Sequence, residues 1–382
     1  MLKWAKSSMR NPKIKKCRMP VQQRFLTCLY ILKHCDLDQM AEVSKNAAMQ
    51  PKVRLGVREG EKYKVKDLLY GLMLESYNDC AVVLAEHAEG SVEKFEKRMN
   101  QMAENIGTLN THFVTPNGLD GIDKKGRHET TAQDLAKIMA RCIKNQQFLE
   151  ITQTKQYTFT DGSRKRRFIC NNHNALLSSM QGVISGKTGY TSKAGYCYVG
   201  AVKQKNMTMT FSVLASGWPP HKTYKWKDVR KLVQYATDHY ERREIIADTS
   251  KIKEISIKNG LKEKVLLKTG NLKAAFLVKK TDKIKIESIL PSFIDAPVKE
   301  GQKVGEIKYL INGKSQKSVP IYAKQSVKQK DYWYYFEKII QRFNADSLMC
   351  YDKTDKKTRE AKQCCFRISK MQYLQEGKEM VG

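Results

Sequence analysis

No stretch of eighteen apolar residues occurs in this 382-residue chain, so no helix is expected to span a membrane. Acid is scarce, with Asp+Glu 39 against Lys+Arg 70 and a net charge of +31. So basic a surface favours anionic partners: nucleic acid, a bacterial envelope or small acidic substrates. Charge alone does not choose among them. No recognised nucleic-acid motif accompanies the charge, so nucleic acid is not an expected partner. The cysteines form no C-x-x-C pair, and no nearby histidine completes a zinc-ligand spacing. No metal site is expected, and the thiols read as buried, reduced core residues.

Hydrophobic residues make up 41% of the chain, which rules out wholesale disorder. The length suits two domains and a core that needs no disulfide framework. Residues 1–24 hold eight Lys/Arg and no acid, and the short apolar run Phe25–Leu32 follows. Basic then apolar resembles a secretory signal. The run is short, however, and Lys33-His34-Cys35-Asp36 offers no small-residue cleavage site, so a core helix is the expectation.

From 25 to 150 the period is helical. Phe95, Met99, Met102 and Ile106 share one face, with Ser91 placed to cap the start and Gly107 to end it. Leu135, Ile138, Met139 and Cys142 mark another helix. These stripes are core-packing faces, and no cofactor box is read in them. From 156 to 216 the period falls towards two, in Tyr196–Val202 and Met207–Val213, before a helix over 225–240. An α/β (α+β) domain with an antiparallel sheet flanked by helices is predicted over 25–245. Short β-rich runs follow, Ala275–Val278 among them, punctuated by Asn259-Gly260 and Asn312-Gly313. They predict a small β-sandwich over 248–323. In 331–343, Trp333, Phe336, Ile340 and Phe343 fall on one helical face, which fits a membrane interface or a helix docked on its own protein. The charged tail 344–382 has no assigned role.

Three segments stand out together: Glu75-Ser76-Tyr77-Asn78-Asp79, Thr111–Asp120 and Gly186-Lys187-Thr188-Gly189-Tyr190. Alone, Ser76 reads as a turn or cap residue and Lys187 as a solvated lysine. Together, S-Y-N and K-T-G about 110 residues apart resemble the second and third motifs of the penicillin-recognising serine enzymes. The chain is most similar to low-molecular-mass D-alanyl-D-alanine carboxypeptidases, over roughly residues 15–343. The resemblance implies a β-lactamase/transpeptidase-like domain and a stem peptide ending in D-Ala-D-Ala as substrate. It also implies attachment of 331–343 to the outer face of the cytoplasmic membrane. The β-rich module and aromatic helix argue against a β-lactamase proper. Lys187 and the Thr188 hydroxyl suit the terminal carboxylate. Gly189 lets a substrate strand approach. By resemblance, the Tyr190 N–H is an oxyanion donor, Ser76 relays a proton to the leaving amine, and Asn78 positions the substrate amide and the catalytic lysine.

The family's S-x-x-K is absent. It should fall just before Leu26-Thr-Cys28, where this chain has Val21-Gln22-Gln23-Arg24. Valine cannot attack a carbonyl, and arginine stays protonated. Ser7 and Ser8 have no lysine three residues on. The codons AGT ACA ACA AAG A for Ser-Thr-Thr-Lys give Val-Gln-Gln-Arg when read one nucleotide later, so residues 1–24 read as damaged or atypical. The resemblance implies a serine-type D-Ala-D-Ala carboxypeptidase that removes the terminal D-alanine of stem peptides through an acyl-enzyme. With Val21-Gln22-Gln23-Arg24 in place of S-x-x-K, this copy is expected to form no acyl-enzyme and to take β-lactams covalently only if a nucleophile is present. The alternative expectation is a catalytically dead peptidoglycan-binding protein.

Overall fold

The chain is described by a computed structural model covering residues 17–18, 23–250 and 252–349, with side chains placed for 23–250 and 252–343. Val21 and Gln22, most of the 1–24 stretch, and the tail beyond 349 lie outside the described residues. Two compact units divide the chain. One runs up to Ile245 and includes Ala275–Asp282; the other holds Ile246–Ala274 and the residues from Lys283 on.

In the first unit the helix Arg24–His34 is central. Phe25, Leu26, Cys28, Leu29 and Ile31 are buried on every side of it, as an all-round apolar helix must be. Each large side chain withdrawn there contributes about 1.5–3 kcal/mol. The helix Val92–Ile106 buries Phe95, Met99 and Ala103. Ser91 Oγ accepts from Lys94 N, and Gly107 closes the helix at φ +83°. The helix Ala132–Cys142 is capped by Thr131 and buries Leu135, Ile138, Met139 and Cys142. Both match the sequence pattern.

A three-stranded antiparallel sheet runs in the order Met207–Val213, Gly195–Gln204, Val183–Thr191. Alternation sends Val199 and Ala201 into the helical core. Tyr198 and Val202 point the other way, against Val229 and Val233 of the helix Tyr224–His239. The Tyr198 ring needs room in its own sheet. A Cβ at Gly186 would lie 1.9 Å from its Oη, and one at Gly200 would lie 2.5 Å from its Cε1. The glycine that opens G-K-T-G is therefore set by packing.

The strand Lys273–Lys279 pairs with Tyr240–Ile246, not with the later sheet to which the sequence reading gave Ala275–Val278. Period two identifies a strand but not its partner. The second unit holds a six-stranded sheet with Ile284–Ile289 at one edge and Phe293–Asp295 at the other. Ile255, Ile257, Val265, Ala296, Val298, Ala323 and Val327 form its core. Asn312 and Gly313, both at positive φ, turn Lys303–Ile311 into Lys314–Ala323, the geometry of a two-residue hairpin. The helix Tyr332–Met349 leaves Trp333, Phe336, Ile340 and Phe343 exposed. Among the described residues no helix is long and apolar enough to cross a membrane.

Candidate active site

The helix Val65–Tyr70 runs into a wider turn over Gly71–Glu75 that ends at Ser76 in the left-handed region, φ +66°. For a residue with a Cβ that conformation costs roughly 1–2 kcal/mol, and such turns and strained residues gather at functional sites. The helix Asn78–Glu89 starts two residues later. Ser76 and Asn78 are thus held between two helix ends.

What fixes this loop is the residue after the motif. Asp79 is fully buried, and its carboxylate accepts from the backbone N–H groups of Leu55 (3.0 Å), Gly56 (2.8 Å) and Val57 (3.3 Å), and of Cys80 (2.9 Å). Its place in the first turn of a helix favours the negative charge. Asn78 adds two ties to the same segment, from Nδ2 to Pro51 O (3.0 Å) and from N to Val53 O (2.8 Å). Arg166 clamps the far side, donating to Gly56 O (2.9 Å) and both Glu61 oxygens.

Lys187 sits on the edge strand Val183–Thr191, and its Nζ donates to Ser76 Oγ. It is 2% exposed. Burial first, then the nearby positive charge of Arg24, push its amine down to about 7, against a smaller pull from Glu75. Glu75 itself accepts from His173 Nε2 (2.7 Å) and Asn171 N (2.6 Å).

The strand edge beside Lys187 is open in a specific sense. Tyr196, the partner of Tyr190, spends its N–H on Gly217 O and its C=O on Ser216 N. Tyr190 and Tyr196 are therefore a non-hydrogen-bonded pair, and Tyr190 directs its N–H and C=O away from the sheet. By the same alternation Thr188 does so too. Gly189 lies between them with no side chain to obstruct an added strand.

The opposite wall is the start of the Arg24–His34 helix. Arg24 is buried, and its guanidinium donates to Asn117 O (2.8 Å), Ser76 O and Asn78 Oδ1. Burial pulls it down to about 9, opposed by Cys80 and Asp79, so it stays cationic at neutral pH. Gln23 is equally engaged. Its Nε2 donates to Thr115 O, and its Oε1 meets His128 Nε2. His128 Nδ1 accepts from Val114 N (2.9 Å), so the proton lies on Nε2. Burial holds this imidazole down at about 3 and therefore neutral.

Four residues singled out in the sequence, Arg24, Ser76, Asn78 and Lys187, thus converge in one cleft, with Thr188, Gly189 and Tyr190 along its strand side. Val21, the nucleophile position, lies outside the described residues. Sequence reading placed Glu75, Asp79 and Asn117 within its segments but gave them no role, and it missed His173 and the Gln23–His128 link. Asp79 carried a faint signal, an acid next to Asn78 at a helix start. The others carried none.

A buried lysine on an edge strand, bonded to a serine held between two helix ends and facing the start of an apolar helix, defines the serine acyl-transfer scaffold of the penicillin-recognising enzymes. The chain belongs to the D-alanyl-D-alanine carboxypeptidase family of serine-type hydrolases, whose profile matches residues 26–217. Residues 240–329 match the C-terminal domain of penicillin-binding protein 5. The chain is 28% identical over 314 residues to the D-alanyl-D-alanine carboxypeptidase DacF of Bacillus subtilis, covering 80% of this chain and 78% of that one. It is 32% identical over 258 residues to DacA of Haemophilus influenzae, covering 65% and 62%. The crystal structure of penicillin binding protein 5 from Haemophilus influenzae superposes with a TM-score of 0.63 at 25% identity, over 84% of this chain and 93% of that one.

Proposed function

We propose that this chain recognises peptidoglycan stem peptides ending in D-Ala-D-Ala and, with Val21 and Arg24 in place, does not cleave them. The observation that carries this reading is the Lys187–Ser76 bond beside the open edge at Thr188–Tyr190. The peptide adds as a strand along that edge. Its terminal carboxylate lies against the Lys187 ammonium and the Thr188 hydroxyl. Its scissile carbonyl meets the Tyr190 N–H, and Asn78 orients the amide.

In a competent relative of this design, a serine at 21 would attack while a neutral lysine at 24 takes its proton. Ser76 would then pass a proton to the departing D-alanine, and water would release the acyl group. Here valine brings no oxygen to 21, and Arg24 remains a cation that donates to Ser76, Asn78 and Asn117. The guanidinium keeps the helix start joined to the Ser76–Asn78 loop without supplying a base. β-Lactams form a covalent adduct only when a serine occupies 21. The exposed aromatic face of 331–343 supports seating on the outer surface of the cytoplasmic membrane.

The test is calorimetric titration with a stem pentapeptide, with released D-alanine assayed on the same sample. Binding without release is expected. Release of D-alanine at a rate typical of the family, or no binding, would overturn the reading.

A further inference from the structure

We infer that the second unit carries a separate binding site for a sugar phosphate, in a cavity of about 250 Å³ lined by Thr249, Ser250, Lys253, Leu267, Thr269 and Lys324, with Ile252 and Leu266 beside them. Three features argue for it. The first is charge. Lys264, Lys268, Lys285, Lys303 and Lys308 of this unit are ion-paired, with Glu254, Glu300, Glu287 and Glu306, whereas two lysines converge on this one cavity with no acid in its lining. Lys253 and Lys324 have no acidic partner among the described residues, and no acid lines the cavity. The two acids nearest in sequence, Asp248 and Glu254, lie outside the lining: Asp248 accepts from the Ser250 N–H and Oγ, and Glu254 pairs with Lys264.

The second feature is the mixture of surfaces. Buried Ile252 and half-buried Leu267 supply apolar lining, and Thr249 and Thr269 line the same space. A sugar ring offers the same mixture of C–H faces and hydroxyls, and a few polar groups on an apolar floor are how small-molecule sites fix orientation. The third is the type of cation. Among the described residues two lysines and no arginine line the space, so the site offers point charges. These suit the tetrahedral oxygens of a phosphate better than a planar carboxylate, which an arginine fork would match. The volume accommodates one phosphorylated sugar, and a polymer built of such units could continue out of the open side. Such a site would give the second unit a grip on anionic wall polymer, independent of the cleft in the first unit.

The test uses the full chain and N-acetylglucosamine 1-phosphate, titrated calorimetrically against uncharged N-acetylglucosamine. The double variant Lys253→Ala/Lys324→Ala is expected to bind the phosphate at least about tenfold more weakly, the effect of losing charge-assisted bonds. The double variant Lys299→Ala/Lys314→Ala removes the same charge from the same unit and is expected to change binding by less than about twofold. Thr269→Trp fills the cavity without altering charge and is expected to match the first variant. An equal loss in both lysine pairs would reduce the effect to the general basicity of the chain and overturn the site. So would unchanged binding in Lys253→Ala/Lys324→Ala, or equally tight binding of the uncharged sugar.

Discussion

The strand side of the cleft and its helix side differ in what their side chains can still do. On the strand side Lys187, Thr188 and the outward-facing Tyr190 amide offer a cation, a hydroxyl and an N–H donor along an open edge. On the helix side Gln23 and Arg24 are held by hydrogen bonds to Thr115, His128, Asn117, Ser76 and Asn78, yet neither is a nucleophile or a base. Recognition needs donors in the right places. Acyl transfer also needs an oxygen nucleophile and a proton acceptor. One requirement can survive the loss of the other because they reside on different elements, and because Arg24 ties the helix start, and Lys187 the strand, to the same residue, Ser76.

The largest expected effect comes from making the helix side like that of a competent relative. Replacing Val21-Gln22-Gln23-Arg24 by Ser-Thr-Thr-Lys should raise D-alanine release from none to a measurable rate, a gain of several orders of magnitude. Arg24→Lys alone should release nothing, because position 21 still lacks an oxygen. Release from that single variant would show that the nucleophile is elsewhere.

Breaking the strand side should remove recognition from the unaltered chain. Lys187→Met is expected to weaken stem-peptide binding by roughly 10–100-fold, and Thr188→Val by less, as read by calorimetry. If Lys187→Met binds as well as the parent, the carboxylate is not held there.

The junction between the sides should be fragile for a different reason. Asp79→Ala leaves the Leu55, Gly56 and Val57 N–H groups without their acceptor. A loss of about 2–3 kcal/mol, or roughly 5–10 °C in Tm, is expected by calorimetric melting. A shift under about 2 °C would mean that the 51–57 segment is held by Arg166 and Asn78 alone.

A smaller and more specific effect should appear with pH. Burial and the Arg24 charge hold the Lys187 amine down to about 7 in the folded chain, against about 10.4 for a free lysine. Between those values the unfolded chain binds the extra proton, so this group makes stability rise with pH, by at most ~1.4 kcal/mol per pH unit. The rise should be missing in Lys187→Met melts. Stem-peptide affinity should run the other way and fall above about pH 7, as the ammonium in the free site is lost.

Much of the strand side was legible in the sequence. S-Y-N sits between two helix ends and K-T-G lies within the edge strand, where a lysine, a hydroxyl and a glycine are the residue types an anion-binding edge requires. The amphipathic helices were legible for the same reason, since Phe95 and Met99, or Leu135, Ile138 and Met139, repeat at the period that buries them. Bonds between distant segments were hidden. His128 reaches Gln23 across 105 residues, and Arg166 reaches Glu61 across the same separation. No local pattern encodes either partner. The pairing of Lys273–Lys279 with Tyr240–Ile246 was hidden likewise, because alternation does not specify which strand lies alongside.

The most direct test is intact-mass spectrometry after incubation with a penicillin, on the unaltered chain and on the Ser-Thr-Thr-Lys variant at 21–24. The account predicts no added mass on the first and one penicilloyl group, mapped to residue 21, on the second. An adduct on the unaltered chain, or none on the variant, would contradict it.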